Sequence, residues 1–109
     1  MSDDAEMRAR VALMALGFKS KLPARFEKMN AAFGQCTLDG ASDEHWTELH
    51  RLLHSLNGAA GTFGLAELGA QACVIEHTIK ERLASGQWQA GDLDAIGAAL
   101  QQLQSDSTT

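Results

Sequence analysis

Residues 42–61 read SDEHWTELHRLLHSLNGAAG, and this stretch decides the fold class. Its large apolar residues recur at intervals of three and four, which places them on one face of an α-helix. Ser42 is suited to cap the helix, and Asp43 and Glu44 put negative charge on the first turn, where the helix dipole favours it. The stretch therefore predicts an amphipathic helix with a core-facing stripe, formed by Trp46, Leu49, Leu53, Leu56 and Ala60.

Four other segments carry the same helical periodicity, and no segment alternates apolar and polar residues as a strand does. Pro23 separates the first two, because proline fits a first helical turn and breaks an interior one. We expect Gly34 and Gly86 to end helices and Asp92 to cap the last one. The predicted helices cover about 4–21, 23–34, 42–61, 65–84 and 92 onward, with a loop at 35–41.

These segments predict an all-α fold, an antiparallel four-helix bundle with an additional or kinked N-terminal helix. We expect one domain over residues 1–109, with its core at about 5–104. The apolar stripes of the outer helices are expected to join the core; their residues are Met7, Val11, Met14, Phe18, Leu22, Phe26, Met29, Phe33, Leu93, Ile96, Leu100 and Leu103.

His54 is the candidate functional residue of the 42–61 helix. At about 100° per residue it projects about 130° away from the centre of the core stripe, so it lies on the surface. Gly58 and Gly61 follow it at four and seven residues, on the same exposed face. Each glycine inside a helix costs about 1 kcal/mol relative to alanine. The two glycines therefore suggest a surface cleared of side chains, where another molecule can approach the histidine.

The stretch HSLNGAAGTFGLAELGAQACVIE, from His54 to Glu76, resembles the histidine phosphotransfer (HPt) domain family. The matching features are the histidine, a leucine two residues on, a glycine at 58, another at 64, and a following helix rich in apolar residues. The resemblance extends over about residues 7–103. It implies a stoichiometric phosphocarrier rather than an enzyme.

By this resemblance, His54 accepts a phosphoryl group through Nε2 from the aspartyl phosphate of a receiver domain, or from a histidine kinase. It then passes the group to a response regulator in a multistep two-component phosphorelay. The chain has no Walker motif, glycine-rich nucleotide loop or acidic Mg²⁺ pocket, so we expect no cofactor here and the catalytic Mg²⁺ on the partner. By analogy with the family, the domain is expected to be a monomer.

Asn57 departs from the family pattern, which usually has lysine at this position. Helical side chains lean toward the N-terminus, so residue 57 is expected to reach back toward His54. Asn57 keeps a hydrogen-bond donor and lacks the charge, and Arg51, three residues before His54, could supply a cation instead. We expect the residues supporting partner docking to be His50, Arg51, Asn57, Gly58, Gly61 and Gly64.

The amino-acid composition argues against two classes of binding partner, nucleic acids and membranes. The net charge is −5 and aromatic residues make up 6% of the chain, which argues against nucleic-acid binding through phosphates or base stacking. No apolar stretch approaches the roughly 20 residues that span a bilayer, and the acidic N-terminus is unlike a signal peptide. We therefore expect a cytoplasmic protein. Cys36 and Cys73 have no zinc-type spacing and are expected to be reduced.

Two alternatives stay open. One is a helical adaptor that docks a receiver domain without being phosphorylated, which Asn57 mildly favours. The other is a metal-binding bundle, because His50 and His54 form an HxxxH pair that can bind zinc, although the sequence shows no third ligand. Three further residues are expected to have no role in a site. His45 is expected to be a packing residue, and His77 and Cys73 are expected to face solvent.

Overall fold

The computed structural model describes residues 2–38 and 41–107, and it contains five helices. They are α1 (Ser2–Ser20), α2 (Leu22–Cys36), α3 (Asp43–Thr62), α4 (Ala66–Ser85) and α5 (Asp92–Ser107). No strand occurs within the described ranges, and the predicted all-α fold is confirmed. Met1, Thr108, Thr109 and two residues of the predicted 35–41 loop, Asp39 and Gly40, lie outside these ranges.

Contacts between helices show that α2 to α5 run antiparallel to their neighbours. Arg25 at the start of α2 bonds Ser55 near the end of α3, while the rings of Phe33 and Trp46 meet at the opposite ends. The same reversal relates α4 to α5, where Arg82 bonds Asp92 and Gln71 bonds Asp106. These helices enclose one cluster of buried apolar side chains, to which every one of them contributes.

A reciprocal amide pair closes the bundle between α2 and α5. The Asn30 amide donates to Gln104 Oε1 at 3.2 Å, and the Gln104 amide donates to Asn30 Oδ1 at 2.7 Å. Each side chain thus satisfies a donor and an acceptor of the other. The pair joins the first and the last helix of the bundle across its surface.

α1 and α2 form a broken helix, as the position of Pro23 predicts. Only Lys21 separates them, and its backbone is close to helical (φ −95°, ψ −4°). Pro23 lies in the first turn of α2, where its missing N–H costs no hydrogen bond. The prediction that Gly34 ends α2 is wrong, because the helix continues two residues further, to Cys36.

Most of α1 lies outside the bundle, and this overturns part of the predicted core. Phe18 is buried and stacks on Phe63 with ring centroids 5.2 Å apart, whereas Met7, Val11 and Met14 are exposed. The stripe has the right period, but no other helix covers its N-terminal half. The molecule is accordingly elongated, with extents of 57 × 23 × 21 Å.

Two smaller expectations in α5 also fail. Leu93 is exposed rather than in the core. The Asp92 carboxylate bonds the Gln89 N–H and Arg82, both before α5, instead of capping the helix it begins.

None of the helices within the described ranges is long and apolar enough to cross a membrane.

Candidate functional site

His54 stands on the outer face of α3, with 74% of its side chain exposed. Its neighbours Leu53 and Leu56 are completely buried, so the core stripe fixes the rotation of α3 and turns His54 outward. The surface position expected from the periodicity is the one observed.

Glu76 of α4 holds the His54 ring. Its Oε1 lies 2.6 Å from His54 Nδ1, and its side chain is only 13% exposed. A carboxylate only accepts hydrogen bonds, so Nδ1 must carry the proton in this contact. The neutral ring then has its lone pair on Nε2. The contact therefore selects the tautomer in which the outer nitrogen is the nucleophile.

His50 lies beside this pair, one turn earlier on α3. Its ring is nearly parallel to that of His54, with centroids 6.2 Å apart, and its Nε2 is 3.5 Å from the same Glu76 oxygen. This distance is too long for a good hydrogen bond. Two buried atoms at the site, His50 Nε2 and Glu76 Oε2, have no hydrogen-bond partner. His50 thus flanks the His54–Glu76 contact without completing it.

The surface beyond His54 is open. A Cβ built on Gly58 or on Gly61 would meet no neighbouring atom within 4 Å. Neither glycine is required by packing against the rest of the bundle. Gly64 has a different reason to be glycine, because it adopts φ +75° in the turn between α3 and α4, a conformation that other residues rarely take.

A family model, the Hpt domain, matches residues 14–106. The chain belongs to the Hpt domain family. Hpt domains carry phosphoryl groups on histidine in two-component signalling, and they act as phosphocarriers rather than catalysts. No curated protein and no solved structure matched the chain. The first 13 residues, which include most of the uncovered part of α1, lie before the matched region of the Hpt domain.

The two residues expected to influence the charge near His54, Arg51 and Asn57, are engaged elsewhere. The Arg51 guanidinium makes two hydrogen bonds to Glu48, at 2.9 and 2.6 Å. These bonds lower the pKa of the Glu48 carboxyl and raise that of Arg51. Asn57 turns toward α4, where its Oδ1 would be 3.2 Å from a Cβ built on Gly69. Neither side chain makes a hydrogen bond or ion pair with His54 in the described structure.

None of the remaining histidines and cysteines has a hydrogen bond or ion pair with His54 or Glu76 within the described residues. His45 accepts the Ser42 backbone N–H at 3.1 Å through Nδ1, so it helps to form the start of α3. His77 and Cys73 are exposed on α4, and Cys36 is buried. Across residues 2–38 and 41–107, no three histidine, cysteine, aspartate or glutamate side chains are arranged to hold a metal ion.

Glu76 is a candidate site residue that the sequence does not reveal. It ends the stretch from His54 that resembles the family, but its position in the sequence indicates no role. Its contact with His54 depends on how α3 and α4 are aligned, and helical periodicity does not give that alignment. The small residue Gly69 was the available signal, because it lets the two helices approach closely opposite Asn57.

Proposed function

We propose that His54 is the phospho-acceptor of this Hpt domain. It would take a phosphoryl group from a receiver-domain aspartate, or from a histidine kinase, and pass it to a response regulator. The contact between His54 Nδ1 and Glu76 is the observation that carries this proposal, because it leaves Nε2 unprotonated on a side chain that is 74% exposed.

The transfer step needs no proton movement at the histidine. The Nε2 lone pair forms the new bond to phosphorus while the bond from phosphorus to the aspartyl oxygen breaks, and the aspartate leaves as a carboxylate. The imidazole ring becomes positively charged, with its proton still on Nδ1. The largely shielded Glu76 carboxylate lies 2.6 Å from that nitrogen, so it would stabilise the charge as it develops.

The partner would supply the rest of the chemistry. In-line transfer requires alignment and neutralisation of the phosphoryl charge, usually by Mg²⁺. We assign both to the receiver domain. The open surface at Gly58 and Gly61 supports this assignment, since it leaves room for the partner to close over His54.

Label transfer from a panel of ³²P-phosphorylated receiver domains tests the acceptor. We expect the wild-type protein to become labelled, with the acid-labile and base-stable linkage of a phosphoimidazole. His54→Gln should take up no label. Its amide can still donate to Glu76, so its melting temperature should stay close to that of the wild type.

His77→Gln is the matched control, since it alters an exposed histidine on α4 and should be labelled normally. Label on His54→Gln would contradict the assignment. Receiver binding without labelling of the wild-type protein would instead support the adaptor alternative, which the engagement of Arg51 by Glu48 favours.

A further inference from the structure

The middle of α1 exposes an unusual number of large apolar side chains. Of the eight large apolar side chains exposed in the described structure, five lie within residues 7–16: Met7, Val11, Leu13, Met14 and Leu16. Concentrated apolar surface of this kind marks an interaction site more often than scattered exposed residues do. Isolated helices of about this length are also marginally stable in water, so the segment gains from being covered.

Three of these residues, Met7, Val11 and Met14, form a straight stripe along α1. Their spacing of four and three is the a/d spacing of a two-helix coiled coil. The stripe continues into Phe18, which is buried where α1 meets the bundle. Between the stripe and Phe63 lies a groove of about 560 Å³, large enough to receive side chains from a second helix.

Charge along α1 is divided between its two ends. Residues 3–6 hold three acidic side chains and no basic one, whereas residues 8–21 hold four basic side chains and no acidic one. Two copies of α1 side by side in parallel would bring like charges together. In an antiparallel pair, the acidic N-terminal end of each α1 (the tip) lies beside the basic C-terminal end of the other copy (the base). The two helix dipoles then also point in opposite directions, which is favourable.

We infer that α1 is the interface of a homodimer, in which the α1 helices of two copies pack antiparallel along this stripe. A two-fold axis between residues 10 and 11 sets Met7 of one copy opposite Met14 of the other. It also brings Asp3 and Asp4 within about one helical turn of Lys19 and Lys21 of the second copy. The two α1 helices overlap over a length of about 24 Å. A single helix pair of this length buries less surface than most permanent interfaces do. We therefore expect a reversible dimer with a Kd in the micromolar range. This differs from the monomer expected by analogy with the family.

Sedimentation of the 109-residue protein from about 1 to 500 µM tests the dimer. We expect a concentration-dependent shift from monomer to dimer. Met14→Glu should weaken association at least tenfold. Leu38→Glu, at an equally exposed apolar residue outside α1, is the matched control and should leave association unchanged. Circular dichroism at low concentration should show the same bundle for all three proteins.

Charge reversal tests the orientation. At low salt, a tip variant (Asp3→Lys with Asp4→Lys) and a base variant (Lys19→Glu with Lys21→Glu) should each self-associate more weakly than the wild type. An equimolar mixture of the two should recover the dimer, because each tip again meets a base of opposite charge. In a parallel pair, the tip variant alone would associate as well as the wild type.

A wild-type protein that is monomeric up to 500 µM would overturn the inference, as would unchanged association of Met14→Glu. Neither readout involves phosphoryl transfer, and the inference does not rest on the proposed function. Its failure would therefore leave the acceptor assignment untouched.

Discussion

Glu76 would have two effects on the ring of His54, the proposed acceptor, through a single atom. Its Oε1 fixes the proton on His54 Nδ1, and its charge would offset the positive charge that phosphorylation would place on the ring. The carboxylate is held nearly out of solvent, where such a contact is stronger than it is at an exposed site. The two effects can be separated by substitution.

Glu76→Ala should remove both effects and slow phosphoryl uptake by His54. A hydrogen bond to a charged group contributes about 1.5–3 kcal/mol, which corresponds to a loss of about ten- to a hundredfold in rate. Glu76→Gln can still accept from Nδ1 through its amide oxygen, so it should retain the tautomer and lose only the charge. Its rate should lie between those of the wild type and Glu76→Ala.

The ¹⁵N chemical shifts of the His54 ring report its tautomer directly. They would not change if Glu76 served only to stabilise the fold. We expect the Nδ1–H tautomer to dominate in the wild type and in Glu76→Gln, and a mixture of tautomers in Glu76→Ala. Equal uptake rates in all three proteins would show that Glu76 has no part in the transfer.

At the scale of residues, the sequence predicted the exposure of His54, which depends on one helix, and missed the contacts of the site that depend on two. The exposure of His54 follows from the rotation of α3, which its own apolar stripe determines. The Glu76 contact and the turn of Asn57 toward Gly69 both depend on the packing of α4. The engagement of Arg51 by Glu48 could have been foreseen, because the two are three residues apart on one helix.

The junction between α4 and α5 is held by one ionic contact. The Asp92 carboxylate accepts from Arg82 Nε at 2.8 Å and from the Gln89 backbone N–H at 2.6 Å. The hydrogen bond from Arg82, followed by that from Gln89, lowers the pKa of Asp92 below its usual range. The contact thus joins the last turn of α4 to the first turn of α5.

Asp92→Asn should lower the melting temperature at neutral pH by a few degrees. A carboxyl group whose pKa is lowered by folding stabilises the protein above the pKa of the unfolded chain, about 3.9. That contribution disappears as the pH falls through the lower folded pKa. The difference between variant and wild type should therefore be full near pH 7 and shrink below about pH 4.

Asp94→Asn is the control for this experiment, since it removes an exposed carboxylate from the same turn. It should change the melting temperature little at any pH. A difference for Asp92→Asn that stays constant from pH 7 to pH 2 would show that the ionic contact contributes nothing to stability.

At the scale of helices, the sequence predicted the existence of all five and most of their bounds. The sequence did not predict which apolar faces of these helices are covered by other helices. The spacing of Met7, Val11 and Met14 shows which face of α1 is apolar, but periodicity carries no information on whether another helix packs there. Leu93 illustrates the same limit in α5, where a residue at a plausible core position faces solvent.

At the scale of the whole molecule, the reactivities of the two thiols distinguish the folded bundle from the unfolded chain. Burial raises the pKa of the Cys36 thiol to about 11, whereas Cys73 is exposed on α4. At pH 8 a thiol with this raised pKa has about a hundredfold less thiolate than an ordinary cysteine, so Cys36 should react slowly with an alkylating reagent, and the exposed Cys73 should react first. Steric protection in the core slows Cys36 further.

Alkylation followed by mass spectrometry of the peptides measures both rates. The slow reaction of Cys36 should accelerate in denaturant in parallel with unfolding of the bundle, and Cys73→Ser should leave only that slow phase. Similar rates for the two cysteines in native buffer would mean that the end of α2 opens without the rest of the bundle.

The reciprocal amide pair of Asn30 and Gln104 has a consequence for the order of folding. Its partners are 74 residues apart, so the chain must close a long loop before the pair can form. His54 and Glu76 are 22 residues apart on two helices joined by a short turn. We expect the hairpin of α3 and α4 to form early and the amide pair to close late. Substitutions at the amide pair should then chiefly raise the unfolding rate, whereas substitutions in the hairpin core should slow folding.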